Sequence, residues 1–158
     1  MLVDRYKKAK KDKYKKLEIH EFYLKNTHRI NNWDLIDLSA PNIVGDYALR
    51  DGDQIIKFLA KSKNLWEKRI AIIATSAFIR KKNYGPTLAV SDMLLHDEHD
   101  LIHKAVGWML REVGKKNKPA LELFLLTRYK EMPRTMLRYA IEKFPEEERQ
   151  RYLRGEVK

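Results

Sequence analysis

Trp33 and Asp37 are four positions apart in the stretch from residue 31 to residue 41. On a helix, side chains at this spacing lie on the same face, one turn apart. An ionised carboxylate is rarely buried without a partner. Asp37 should therefore face water, meet a cation or take part in a reaction, and the surrounding residues leave these three alternatives open.

Arg69 is the second candidate for a functional residue. Leu65, Trp66, Ile72 and Ile73 lie three and four residues to either side of it, so on a helix they surround the arginine with apolar side chains. A guanidinium held in this way suits a carboxylate or a phosphate, which it can bind through two parallel hydrogen bonds. The alternative is that only the aliphatic stem packs while the charged head reaches solvent.

Trp108 and Arg111 would share a face of a third helix, because they are three residues apart. Gly107 removes bulk beside the indole, where a ligand or a neighbouring helix could approach closely. A tryptophan at helical spacing is more often part of a core than of a binding site. Both interpretations of Trp108 therefore remain open.

Three histidines between residues 96 and 103 raise the question of a metal site. His99 and His103 have the i, i+4 spacing that metal-binding helices use. However, Asp97 or Asp100 is a natural N-cap for the helix that follows, and no cysteine or third ligand on another element can be named. We therefore expect no metal site and no cofactor.

The charge of the chain favours an anionic partner. Its 158 residues include 33 Lys and Arg against 22 Asp and Glu, a formal net charge of +11. This balance favours nucleic acid or an anionic membrane, although a basic protein without such a partner is the alternative. No apolar run could span a bilayer, and the N-terminus lacks the apolar core of a secretory signal. The absence of cysteine excludes disulfides and thiolate chemistry, and we expect a cytoplasmic protein.

Apolar residues recur at three- and four-residue spacing along most of the chain, and the alternation typical of strands is almost absent. The five prolines lie where helices would begin or connect. The sequence therefore predicts an all-α fold, with helices at about residues 10–27, 33–39, 42–50, 53–61, 64–81, 86–95, 99–114, 119–130, 133–144 and 146–153. No linker divides the chain, so residues 1–158 should form a single domain.

A weak internal repeat indicates how these helices are arranged. A shift of about 36 residues superposes residues 65–68 on residues 101–104, and a further shift reaches residues 136–138. This spacing is typical of an α-α superhelix of HEAT-like antiparallel helix pairs, an α-solenoid. Aligned faces of successive pairs would bring basic residues such as Arg69 and Lys104 into one concave positive track. The alternatives are a plain helical bundle and a basic outer face that is merely solvated.

Four blocks in chain order carry a resemblance to a known family: WDLID at 33–37, WEKR at 66–69, HKAVGWMLRE at 103–112 and PRTMLRYAIE at 133–142. Together they resemble the DNA alkylation repair family of HEAT-like DNA glycosylases, from about residue 20 to about residue 153. The resemblance implies an α-solenoid that cradles duplex DNA and hydrolyses the N-glycosidic bond of N3- or N7-alkylated purines.

The resemblance also implies roles for individual residues. Asp37 matches the family's catalytic aspartate, and Trp33 and Trp108 match two tryptophans that contact the deoxyribose of the damaged nucleotide. Arg69 matches a basic residue near the same cleft, and Arg111 belongs to the DNA-facing set. The family does not need to swing the damaged base into a pocket, unlike most enzymes that act on bases. The implied partner is double-stranded DNA containing alkylated purines.

Compared with the family, the chain lacks helices before the matched part, so we expect an N-terminally short domain. A terminal solenoid repeat needs a polar cap, and an apolar flank at this end should lead to self-association or to binding of a partner. The alternative function is a non-catalytic HEAT-like scaffold that binds nucleic acid or a protein. Convergence of Trp33, Asp37, Arg69 and Trp108 on one basic cleft would favour the enzyme.

Overall fold

Every regular element of the chain is helical. A computed structural model describes residues 1–158 and contains no strand, which confirms the all-α prediction. The α-helices are α1 (Leu2–Lys8), α2 (Lys13–Lys25), α3 (Trp33–Ala40), α4 (Asp46–Asp51), α5 (Gln54–Ala60), α6 (Leu65–Ala74), α7 (Ser76–Arg80), α8 (Gly85–Met93), α9 (Asp100–Lys116), α10 (Lys118–Leu126), α11 (Arg134–Ala140) and α12 (Glu146–Arg154). A 3-10 turn at Thr27–Arg29 and a π-helical segment at Pro41–Gly45 complete the set.

The helices form an α-solenoid in which α3, α6, α9 and α11 lie side by side as one parallel layer. Asp37 on α3 contacts Arg69 near the start of α6. Further toward the C-terminus of both segments, Gly45 approaches Ala74 and Ala77. Because both contacts advance in the same direction, the two helices are parallel. α9 and α11 are aligned in the same way.

Helices α2, α5, α8 and α10 form the second layer, and short connections make each antiparallel to its partner in the parallel layer. At the turn from α9 to α10, for example, Gly114 approaches Leu121, so the chain reverses within a few residues. This pairing is the HEAT-like arrangement that the sequence repeat predicts.

The helices of the parallel layer begin at regular intervals. Asn32, Asn64 and His99 each accept a hydrogen bond from the backbone N–H two residues further on, and Pro133 occupies the equivalent position before α11. These four N-caps follow at intervals of 32, 35 and 34 residues, close to the shift found in the sequence. The caps therefore place the first turns of all four helices along one edge of the solenoid.

The predicted break between residues 39 and 42 is wrong, because the helix runs through Pro41. α3 continues into the π-helical segment Pro41–Gly45 and then into α4 without leaving helical dihedral angles. In a regular α-helix the proline ring would clash with the carbonyl of Asp37, four residues earlier. The wider π turn relieves that clash, so the proline distorts the helix instead of ending it.

A continuous core joins the two layers and includes the first helix. Val3 and Tyr6 of α1 are buried, so this helix, which precedes the first predicted helix, packs into the core. Large side chains such as Ile36, Ile70 and Ile102 are fully buried between neighbouring helices of the parallel layer. None of the helices combines the length and apolar character that crossing a membrane requires.

Candidate functional site

Asp37 and Arg69 form a bidentate ion pair between α3 and α6. Arg69 Nη2 donates to Asp37 Oδ2 at 2.9 Å and to Oδ1 at 3.1 Å, and Nε donates to Oδ1 at 3.2 Å. Of the three alternatives for Asp37, the structure thus selects contact with a cation. The planar fork of a guanidinium matches a carboxylate in this geometry, which fixes both groups in orientation as well as in distance.

Arg69 also connects α6 to the next helix. Its remaining nitrogen, Nη1, donates to the carbonyl oxygen of Leu101 on α9 at 2.9 Å. The guanidinium therefore links α6 to both α3 and α9, and the Arg69 side chain is only 7% exposed. Arg69 does not extend to solvent, because all three of its nitrogens have acceptors inside the protein.

The Asp37 side chain remains partly in contact with solvent. Its side chain is 15% exposed, about twice the fraction of Arg69. An ionised carboxylate offers about four acceptor positions, and Arg69 occupies two on Oδ1 and one on Oδ2. Oδ2 can therefore accept one further hydrogen bond from a water molecule or a bound group.

Trp33 lies on the same side of α3 as Asp37. It is the first residue of the helix after the Asn32 cap, and it is 49% exposed. Because helical side chains lean toward the N-terminus, the indole extends beyond Asp37 toward the edge of the solenoid. A half-exposed tryptophan next to a fixed carboxylate provides an open surface for a flat or cationic group.

The structure does not bring the other two predicted residues into direct contact with this pair. Trp108 lies on α9 two turns after Leu101, half-buried and packed against the core. Arg111, one turn further, forms an ion pair with Glu142 after α11. Arg69 and Asp37 therefore form the contact at the site, with Trp33 on the same face and Trp108 on the neighbouring helix.

Two contacts at the site were absent from the sequence prediction. The Leu101 carbonyl that accepts from Arg69 is a backbone group, which no residue pattern marks. Lys68 forms an ion pair with Asp97, which precedes α9. Burial acts to raise the pKa of Asp97, but the hydrogen bond from Lys68 holds this pKa below its ordinary value. Asp97 could have been recognised as a charged residue before a helix, but its partner depends on the register between helices.

The histidines between residues 96 and 103 have structural contacts. His99 is the N-cap of α9, because its Nδ1 accepts from the Leu101 N–H at 3.1 Å. The expectation that Asp97 or Asp100 caps this helix is therefore wrong. Asp97 instead accepts from the His99 N–H, and the His103 ring contacts the Asp97 carbonyl. No group of three or more potential ligands is close enough to hold a metal ion.

Many of the basic residues expected in a positive track have carboxylate partners. Lys104 pairs with Asp100 at 2.8 Å, and Lys115 pairs with Glu112 at 2.9 Å. Others carry no carboxylate partner, among them Arg80, Lys81, Lys82, Lys116 and Arg138. Arg80, Lys81 and Lys82 lie at or just after the C-terminal end of α7, and Lys116 and Arg138 lie in the last turns of α9 and α11, where positive charge interacts favourably with the helix dipoles.

Comparison with known proteins gives one family. A search of curated proteins finds no match to the chain. The sequence model of a family described as DNA alkylation repair enzyme matches residues 1–144. The match begins earlier than the four sequence blocks and covers α1 to α11, so it includes Trp33, Asp37, Arg69, Trp108 and Arg111. The chain therefore belongs to the family of DNA alkylation repair enzymes, whose role is the repair of alkylated DNA.

Proposed function

We propose that the protein is a DNA glycosylase that hydrolyses the N-glycosidic bond of N3- or N7-alkylated purines in duplex DNA. The observation that carries the proposal is the Asp37 carboxylate, which Arg69 holds in one orientation beside the exposed indole of Trp33. Membership of a DNA alkylation repair family makes alkylated DNA the relevant substrate class. A monofunctional hydrolysis needs no cofactor from this site.

The substrate itself supplies part of the activation. A purine alkylated at N3 or N7 is cationic, so its bond to the sugar is already weakened and the leaving group needs little protonation. The C1′–N bond breaks with its electron pair passing to the purine, which becomes neutral. The sugar is left as an oxocarbenium-like cation, as in other glycoside hydrolysis. The protein has to stabilise that cation and position the water that attacks it.

Asp37 is suited to both tasks. Its ionised carboxylate stabilises the positive charge that develops on the sugar, and Arg69 fixes its orientation before the reaction begins. The free acceptor position on Oδ2 can hold the attacking water. The oxygen of that water bonds to C1′, and its proton passes to the carboxylate and then to solvent. Arg69 acts through Asp37 and is therefore a positioning residue.

Trp33 and Trp108 would contact the sugar from two sides. An indole face beside a developing positive charge adds a cation–π attraction of about 0.5–2 kcal/mol. Trp33 is exposed enough to make this contact directly, whereas Trp108 is half-buried and would present one edge or face. Arg111 would contact the DNA backbone, in exchange for its present partner Glu142. The bound partner is double-stranded DNA.

A non-catalytic DNA-binding solenoid is the second candidate function. The observation in its favour is that Asp37 is largely shielded and bound by Arg69 through three hydrogen bonds, as in an ion pair that serves only structure. Such a scaffold would bind duplex DNA with a steep salt dependence and release no base. Base release by the purified protein separates the two functions.

The substitution Asp37→Asn tests the assignment of the catalytic residue. We expect release of 7-methylguanine from methylated duplex DNA to fall by about 100-fold or more, because the carboxamide can neither accept the proton nor stabilise the cation. Affinity for duplex DNA should stay the same or rise slightly, since a negative charge is removed. The measurement is a single-turnover assay below the unfolding temperature of both proteins.

Asp34→Asn is the matched control, because Asp34 is an exposed carboxylate on the same helix. It should release base at the parent's rate. Undiminished release by the Asp37→Asn protein would rule out the assignment. A folded parent that binds DNA but releases nothing would establish the scaffold instead.

We also propose a second copy of the chain as a partner at the N-terminal end of the solenoid. A groove of about 300 Å³ opens there between α1, α2 and α3. Its lining is mostly apolar, with Phe22, Leu35 and Leu38 exposed, and Arg29 is its only charged side chain. Repulsion between two copies with a charge of +11 is therefore small at this groove.

A further inference from the structure

A basic cavity lies beside the π-helical segment, away from the Asp37–Arg69 pair. Its volume is about 360 Å³, and it opens where α1, α2 and the end of α7 meet Pro41–Gly45. Four cationic side chains line it, namely Lys7, Lys16, Arg80 and Lys81. Asp46 is the only carboxylate among the lining residues, which leaves the cavity with three more positive than negative charges.

The negative charge of Asp46 is already engaged. Its Oδ2 accepts from the Tyr6 hydroxyl at 3.0 Å and from Lys16 Nζ at 3.1 Å, and Arg50 Nη2 lies 3.5 Å away. Burial acts to raise the pKa of Asp46, but hydrogen bonds from Lys16 and Tyr6 keep this pKa below its ordinary value. Asp46 is therefore ionised and balances Lys16 and Arg50, with no charge left for the other cations of the cavity.

Lys7, Arg80 and Lys81 have no carboxylate partner. They come from two helices that are distant in sequence, and they face the same cavity. Like charges gathered at one place repel one another, and a bound anion would replace this repulsion with attraction. Lys104 and Lys115, by contrast, have carboxylate partners.

We propose that this cavity binds a phosphate group, which Arg80 contacts through its planar fork and Lys7 and Lys81 contact as point charges. Arginine suits phosphate because its donors match two phosphate oxygens, and lysine contributes charge without fixed geometry. Asn42 also lines the cavity; its Nδ2 donates one hydrogen bond to the Leu38 carbonyl and has a second N–H to offer. The phosphate can belong to a DNA backbone or be free in solution, and only the DNA source rests on the proposed function.

Measured along the helix, the cavity lies a short distance from Asp37. Asn42 and Asp46 are five and nine residues beyond Asp37 on one continuous helical path. At about 1.5 Å per residue, the cavity lies roughly 8–14 Å further along the helix. DNA rises by about 3.4 Å per base pair. A duplex that runs along this path would therefore place the phosphate held here about two to four base pairs from the damaged nucleotide.

The first test uses inorganic phosphate and the double variant Arg80→Gln/Lys81→Gln. Both side chains are exposed, so the variant should fold as the parent does. At about 20 mM phosphate, the parent should unfold a few degrees higher than in chloride of equal ionic strength. The variant should lose most of this shift. The matched control is Lys11→Gln/Lys25→Gln, which removes two exposed, unpaired lysines outside the cavity and should keep the shift.

The second test measures binding of an undamaged duplex over a range of salt concentrations. Each lost phosphate contact lowers the slope of log K against log salt by about 1. We expect the slope to fall by about 1–2 for the cavity variant relative to the control variant. A fall in the slope identifies the DNA backbone as the source of the phosphate, whereas loss of the phosphate shift alone identifies a free phosphate.

The proposal is wrong if the cavity variant and its control behave alike in both tests. Neither measurement needs a damaged base, so a protein that releases no 7-methylguanine would refute the glycosylase without affecting this result. Conversely, an active glycosylase whose cavity variant binds phosphate and DNA as the control does would refute the phosphate site alone.

Discussion

Arg69 binds two acceptors from two neighbouring helices, the Asp37 carboxylate and the Leu101 carbonyl. A lysine at this position would keep the positive charge but could not make the same forked contact. The orientation of Asp37 thus depends on the shape of the guanidinium and not only on its charge. A structural role and a positioning role can be separated, because only the second affects the reaction in a fully folded protein.

The substitution Arg69→Lys should lower single-turnover base release by about 10-fold or more at saturating protein, because Asp37 loses its fixed orientation. Removing one partner of a buried ion pair typically lowers the free energy of unfolding by about 3–5 kcal/mol. Because lysine retains the positive charge, Arg69→Lys should lower it by less than this. Both the rate and the free energy of unfolding are measured.

Lys68→Gln is the control for this prediction, because it breaks the Lys68–Asp97 pair one residue earlier on the same helix. It should lower the free energy of unfolding and leave the rate unchanged. If the two variants lose base release in proportion to their stability, Arg69 has no positioning role.

His20 is a buried titratable residue outside the site. It is 3% exposed, and its ring stacks on Tyr47 with a centroid distance of 3.9 Å. Its Nδ1 is buried without a hydrogen-bond partner. Burial lowers the pKa of His20 from 6.5 to about 4, against the opposing effect of a hydrogen bond to the Ile43 backbone. The neutral imidazole is therefore the form that the fold accommodates.

We expect His20 to make the protein less stable in acid. Between pH 6.5 and about 4 the unfolded chain binds a proton at His20 that the folded chain does not, so the free energy of unfolding falls as the pH falls. The full effect of His20 would be about 3 kcal/mol. Denaturant unfolding at several pH values measures it. His20→Phe keeps a flat ring against Tyr47 and should lose this part of the pH dependence, and an unchanged dependence would contradict the prediction.

Helices α9 and α11 pack in close contact at Gly107. A Cβ atom at this position would lie 2.5 Å from the Tyr139 Cβ and 2.6 Å from the Met136 carbonyl oxygen. Neither atom is at the end of a flexible side chain, so the helices would have to separate. At Gly114 a Cβ would instead meet Leu121 Cδ2, which can rotate away. The two glycines therefore serve different purposes on the same helix.

The substitution Gly107→Ala should destabilise the protein by about 1–3 kcal/mol, because overpacking forces α9 away from α11. The matched substitution Gly114→Ala should be neutral or slightly stabilising, since alanine gains about 1 kcal/mol of helix propensity over glycine. Thermal and denaturant unfolding measure both. Equal effects at the two positions would show that the close contact at Gly107 does not limit the packing.

Most helices could be predicted because their signals are local. Asn32, Asn64 and Asn117 act as caps immediately before apolar-periodic stretches, and the structure uses all three. Pro41 misled the prediction, because proline usually ends a helix. The neighbouring helices hold the chain helical through a widened turn, and that influence is not visible in the residues around Pro41.

The site could be predicted only in part. The shared face of Trp33 and Asp37 follows from helical spacing within one element. The Asp37–Arg69 contact joins residues 32 positions apart and depends on the register between α3 and α6. The pairing of Arg111 with Glu142 likewise requires the position of α11 against α9. No single stretch of sequence contains these distances.

At the scale of the whole molecule, the two ends of the solenoid differ. The C-terminal end is closed by α12, whose first turn is acidic and whose Tyr152 packs against Tyr129 and Phe144. The N-terminal end leaves Leu35 and Leu38 exposed on the first helix of the parallel layer. The asymmetry supports association through the N-terminal groove.

We expect Leu38→Glu to weaken self-association. Leu38 is 60% exposed, so the substitution should not disturb the monomer, but it places a carboxylate in an apolar groove. Sedimentation equilibrium should show the parent shifting toward dimer as its concentration rises, and the variant remaining monomeric. Phe58→Glu, at a residue that is 72% exposed elsewhere, should behave as the parent does. A parent that stays monomeric throughout would refute the association.

The π-helical segment also sets the direction in which the Asp37 carboxylate points. A π turn contains one residue more than an α turn, and each residue of an α-helix rotates the chain by about 100°. The π turn fits that extra residue into one revolution, whereas a regular α-helix with the same residues would rotate everything before Pro41 by roughly that angle relative to everything after Gly45. A regular α-helix through this same stretch would swing Asp37 away from Arg69, so the orientation of the proposed catalytic carboxylate depends on an irregular turn.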